Sequence, residues 1–128
     1  MIKTVIYILF IASIANAKVF VITSQDSKVD EATKQELSNV YLKKTDEIKG
    51  EKVEVLINKE HYKEFSKKVL DKTPSQIHAY WMKQVFLGKK IPPRVIKELE
   101  MVKEFKNNSK AITYAPKDLD EKVIYETK

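Results

Sequence analysis

The chain has no cysteine. Disulfides, thiolate metal sites, a thiol nucleophile and a cysteine-linked lipid anchor are therefore excluded. It has two glycines, and neither lies in a G-x-S-x-G turn of the kind that presents a serine nucleophile. Arginine occurs once, at Arg94, with no aromatic–basic motif beside it, so nucleic acid is not an expected partner. His61 and His78 are the two histidines, and they show neither H-x-H nor H-E-x-x-H spacing. No metal site is expected from them. Asp118 with Asp120, and Glu98 with Glu100, stand two residues apart. Pairs at that spacing do not converge on a helix and read as surface charge. The chain is accordingly read as a non-enzyme that uses no cofactor.

Long apolar runs are scarce as well. One spans the ten residues from Val5 to Ile14, about half of the ~20 that a membrane-crossing helix needs. Lys3 precedes it, and Ala15-Asn16-Ala17 follows as a small-x-small cleavage site. Residues 1–17 are therefore expected to be a signal peptide cut after Ala17. Residues 18–128 then form a periplasmic domain with no membrane span. The 111 residues left suffice for one domain with one core. An exported domain without disulfides must be stable through that core alone, which suits a bacterial periplasm. The formal charge is +6. Much of the excess lies in lysine pairs at 43–44, 67–68 and 89–90, which read as solvated faces with a weak pull toward anions.

Along the domain, strand and helix signals alternate. Lys18 to Thr23 is β-branched and apolar and reads as a buried first strand. A polar loop from Ser24 to Ala32 follows. Thr33 and Glu36 fit a capping box, and Leu37, Val40 and Tyr41 mark one face of the helix it starts. Gly50 marks a turn. Lys52 to Ile57 reads as the second strand, and Asn58 as the cap of a helix with Tyr62, Phe65 and Val69 on its apolar stripe. Thr73, Pro74 and Gln76 open a third helix, with Ile77, Tyr80, Trp81, Gln84 and Val85 inward and Gly88 just past its end. Pro92-Pro93 forces an extended joint. Val95, Leu99, Val102 and Phe105 then recur at helical spacing. Ala111 to Ala115 and Lys122 to Tyr125 read as the last two strands. The expected fold is α/β, a sheet flanked by helices in the order β-α-β-α-α-α-β-β.

Several of these residues match a family pattern. Pro74, Gln76, Tyr80, Trp81, Phe86, Gly88, Lys89, Pro92 and Pro93 stand at the spacing of a stretch found in small periplasmic proteins. The chain resembles those proteins, which are similar to the substrate-binding component of phosphate ABC transporters. The capped helix from Thr33 to Lys44 resembles their opening, and Asn107 to Tyr114 resembles their Asn-Pro-Gly turn and closing strand. The resemblance implies a single lobe of the type II periplasmic-binding-protein architecture and a small oxyanion such as phosphate as ligand. The chain departs from the pattern after the second strand. It reads Asn58-Lys59-Glu60-His61 where the family favours small Ser, Gly and Thr residues, and an acidic Glu60 disfavours a dianion.

Ligands of open α/β sheets gather beyond the carboxyl ends of strands. Ser24 follows the first strand, Asn58 the second, and Tyr114 ends the third, so these three are the expected ligand-binding residues. Read more plainly, Ser24 is a loop residue, Asn58 a helix cap, and Tyr114 a half-buried core residue. A single lobe cannot enclose an anion on both sides. An envelope partner or a second copy would have to supply the other wall. The alternative is an interaction module that has lost its ligand and works through a sheet edge or the Pro92-Pro93 joint.

Overall fold

The computed structural model describes residues 18–128. The expected signal peptide, residues 1–17, lies outside the described residues. Seven strands alternate with four α-helices: β1 (Phe20–Thr23), α1 (Lys34–Tyr41), β2 (Glu47–Ile48), β3 (Glu51–Lys52), β4 (Glu54–Asn58), α2 (Tyr62–Lys68), α3 (Pro74–Phe86), β5 (Arg94–Ile96), α4 (Met101–Asn107), β6 (Ala111–Ala115) and β7 (Lys122–Glu126). Two short 3-10 turns, Lys59–His61 and Glu98–Glu100, lead into α2 and α4. Among the described residues no helix is long and apolar enough to cross a membrane.

Five strands form one mixed sheet in the order β5-β4-β6-β1-β7. β4 runs parallel to both its neighbours, while β1 runs antiparallel to β6 and β7. The expected helix-flanked α/β sheet is thus the observed architecture. Alternation along the strands sends side chains to two cores. Val21, Val55, Ile112 and Tyr114 meet α1, α2 and α3 through Leu37, Tyr41, Phe65, Val69, Ile77 and Trp81. Ile22, Leu56 and Ile96 meet α4 on the other side, through Met101 and Phe105. Because helices cover both faces, all five residues of β6 are buried, as expected of a central strand in a covered sheet.

The helix ends follow their signals. Thr33 Oγ1 accepts from Glu36 N–H at 3.1 Å, and Glu36 Oε1 accepts from Thr33 N–H at 2.9 Å. Thr73 and Gln76 repeat the exchange at 3.1 and 2.9 Å, with Pro74 in the first turn. At the end of α3, Gly88 takes φ +68°. Its N–H donates to Val85 O, and Lys89 N–H donates to Gln84 O, both at 3.0 Å. That is the Schellman arrangement, which favours glycine at the left-handed position.

Val85, expected on the inner side of α3, is 51% exposed, and two further features differ from the sequence reading. The first is a hairpin of two-residue strands, β2 and β3, that takes Lys52 out of the second main strand. Lys49 and Gly50 both have positive φ, as a two-residue hairpin turn requires, but strands this short show no periodicity. The second is β5. After Pro92-Pro93 the chain stays extended and pairs with Leu56–Asn58, so Val95 lies on a strand and not on a helix. The buried set is Ile96, Met101 and Phe105, while Val95, Leu99 and Val102 are exposed. The spacing 95–99–102–105 mixes a period-2 strand with a period-3.6 helix, so only Phe105 of the four falls in the core.

The larger core centres on three aromatic rings. Phe65 stacks on Tyr114 at 3.8 Å between centroids, and Tyr41 tilts against Phe65 at 4.6 Å. Tyr41 OH lies 3.0 Å from Leu56 O and 3.3 Å from Ile112 O, so the ring also clamps β4 to β6. Phe65→Ala is expected to destabilise the fold by about 3–5 kcal/mol through lost burial and the cavity left behind. Denaturant unfolding at unchanged slope measures it. Tyr114 OH is buried without a hydrogen bond. Tyr114→Phe removes an unpaired polar group, so its unfolding midpoint is expected to stay level or rise.

Candidate functional site

The three residues expected to bind a ligand do not come together. Asn58 and Tyr114 lie at the same end of the sheet, because β4 and β6 are parallel. Ser24 lies at the opposite end. β1 is antiparallel to β6, with Thr23 opposite Ile112, so its carboxyl end meets the amino end of β6. The expectation placed all three at strand ends without knowing strand direction, and direction separates them. Each residue also has a structural role. Ser24 is 4% exposed, and its Oγ accepts from Asp26 N–H at 3.1 Å. Asn58 is fully buried. Its Nδ2 donates to Tyr114 O at 2.9 Å, and its Oδ1 accepts from Glu60 N–H at 3.3 Å. Tyr114 is buried against Phe65, with its phenol pushed upward first by desolvation. Trp81 and Tyr80 pack edge to face at 5.0 Å, and Tyr80 OH donates to Leu42 O at 2.6 Å.

An open cleft does exist elsewhere. It has a volume of about 400 Å³ and is lined by Lys43, Thr45, Lys89, Lys90, Ile91 and Arg94, together with Asp46 and Glu54. Two helix ends build it. Lys43 follows α1 in the left-handed conformation, φ +55°, and Lys89 follows the Schellman turn of α3. Cations are favourable at helix C-termini, which accounts for where these lysines sit. Among the described residues no carboxylate lies within ion-pair distance of the Lys43, Lys89 or Lys90 amines. Arg94 is committed: its guanidinium is 3.1 Å from Glu104 and 3.5 Å from Glu54. Asn108 Nδ2 donates to the same Glu54 carboxylate at 2.7 Å. The sequence reading flagged the lysine pairs but had no means of joining 43 to 89.

Exposed apolar side chains are concentrated in one stretch of the sequence that includes Ile91 of the cleft. Met82, Val85, Phe86, Leu87, Ile91, Val95, Leu99 and Val102 are the large hydrophobic side chains exposed among the described residues. All fall between residues 82 and 102, on the end of α3, the Pro92-Pro93 joint, edge strand β5 and the start of α4. Phe86 is 89% exposed and Leu99 96%. In sequence they precede, occupy and follow edge strand β5, with α3 packed on one face of the sheet and α4 on the other.

Among the described residues, one group of three His, Asp or Glu side chains is close enough to share a metal ion: Glu60, His61 and Glu98. The sequence reading passed over it because the donors come from two different turns. No family model, curated protein or solved structure matches the chain.

The Arg94 cluster gives a pH prediction. The hydrogen bond from Arg94 is the main cause that lowers the Glu104 carboxyl below the usual range. A depressed carboxyl contributes stability above its unfolded pKa, near 4.3, and loses it as pH falls through the folded value. The melting temperature is expected to fall less on acidification in Glu104→Gln than in the parent chain. At neutral pH the variant should lose about 0.2–1 kcal/mol, the range of exposed pairs. Thermal melts from pH 7 down to pH 3 measure both.

Proposed function

We propose that this chain is an exported, non-catalytic solute-binding-like module that works as one half of a receptor. Its apolar face at 82–102 docks an envelope protein, and the adjoining cationic cleft supplies one wall for a small oxyanion such as phosphate. One observation carries the reading: Ile91 belongs to both the cleft and the exposed apolar face. A partner seated on that face would therefore close over the cleft. This meets the physical objection to a single lobe, which leaves an anion open to water on one side.

Charge argues for the kind of partner. Six cationic side chains stand between Met82 and Lys103 (Lys83, Lys89, Lys90, Arg94, Lys97 and Lys103) against two carboxylates, Glu98 and Glu100. Two such faces repel one another, so a second copy is disfavoured. A partner with an apolar centre and an acidic rim is complementary. The resemblance to phosphate-binding components of ABC transporters supports the oxyanion, and the unpaired amines of Lys43, Lys89 and Lys90 support its place. Helix C-termini oppose an anion, so the lone domain should bind weakly, in the millimolar range.

Two measurements test this. Phosphate added to the isotopically labelled chain should shift the amide signals of residues 43–46 and 89–94, and Lys89→Gln with Lys90→Gln should abolish the shifts. Shifts elsewhere, or none at millimolar phosphate, would remove the cleft. A photo-crosslinker at Phe86 or Leu99 should capture one defined envelope protein. A crosslinker at Lys63 should not, and Ile91→Asp should prevent capture at Phe86. Equal capture from all positions, or crosslinking of the chain to itself, would overturn the docking face.

A further inference from the structure

We infer that Glu60, His61 and Glu98 form a site for a divalent transition-metal ion at the carboxyl ends of β4 and β5. It stands apart from the oxyanion cleft and does not depend on it.

The fold brings the three donors together from two turns. β4 and β5 are adjacent and parallel, with Asn58 opposite Ile96. Each strand passes into a 3-10 turn at the same end, Lys59–His61 after β4 and Glu98–Glu100 after β5. Asn58 fixes the first turn by accepting from Glu60 N–H. This is the edge where open α/β sheets hold ligands, and here it presents an imidazole and two carboxylates. The donor atoms all lie within 4.8 Å of one another.

Two details separate the cluster from chance surface acids. His61 Nε2 lies 3.2 Å from Glu98 Oε1. Two ligands held at about 2.0–2.2 Å around a tetrahedral zinc stand roughly 3.3 Å apart. In addition, Glu98 Oε1 is shut off from solvent, although the side chain as a whole is 30% exposed, and its near neighbour is the His61 imidazole. A cation shared with His61 gives that oxygen a further partner. Imidazole with carboxylates suits zinc and its first-row neighbours better than magnesium or calcium, which prefer all-oxygen shells. Two carboxylates balance a divalent charge, and three protein ligands leave a position open to water or an exchangeable ligand.

The test is calorimetric titration of the chelator-treated full chain with zinc ions. One zinc per chain is expected, with a rise in melting temperature on binding. Glu60→Gln, at an exposed side chain that the fold does not need, and Glu98→Gln should each weaken binding by at least ~10-fold. His61→Ala should do the same, and His78→Ala, on the surface of α3, should leave it unchanged. The inference is overturned if no stoichiometric zinc is taken up, if uptake survives the variants at 60, 61 and 98, or if the His78 variant weakens it equally. Phosphate shifts at Lys89 are a separate readout, so either site can fail alone.

Discussion

A buried amide governs the working end of this molecule. Asn58 is the last residue of β4 and is fully buried, so its donor and acceptor both need partners. The donor reaches across to the backbone of β6 at Tyr114, and the acceptor takes the N–H of Glu60. One side chain thus locks two central strands together and sets where the chain leaves the sheet. The position of Glu60 and His61, and their distance from Glu98, follow from that lock. The residue that looked like a direct ligand acts instead on the backbone that carries other donors.

Strand direction decides which chemistry shares an end. β4, β5 and β6 run together, and their carboxyl ends collect Asn58, Glu60, His61, Glu98 and Tyr114. β1 runs against β6, so Ser24 is carried away from them. The phosphate reading placed Ser24, Asn58 and Tyr114 together beyond the strand ends, although Asn58-Lys59-Glu60-His61 departs from the small residues of the resembling family. The side chains found at the carboxyl ends of β4 and β5 include an imidazole and two carboxylates, while Lys43, Lys89 and Lys90, with no carboxylate in ion-pair reach among the described residues, line a cleft at the ends of α1 and α3. Their placement has a local cause, since helix C-termini hold cations, and a collective result, a cleft of positive charge.

Edge strand β5 joins the two regions. Its three residues divide their work by parity and position: Arg94 ties into Glu54 and Glu104, Val95 faces solvent, and Ile96 enters the smaller core. The strand covers one edge of β4 but leaves its own edge open. An open edge strand is prone to unwanted pairing. The proline pair and the six cations nearby in sequence limit that tendency.

Local signals were sufficient for much of this chain. The two capping boxes, the Schellman glycine at 88, the turn at Gly50 and the buried β1 and β6 are all legible, because each depends on residues within one or two turns of each other. The α/β class follows from their alternation. Strand direction, the pairing of β5 with β4, and the exposure of Val95, Leu99 and Val102 are not legible, because hydrogen bonds between distant segments set them. The candidate sites belong to this second group. Lys43 meets Lys89, and His61 meets Glu98, only after the sheet is assembled, since contacts across dozens of residues leave no period in the sequence.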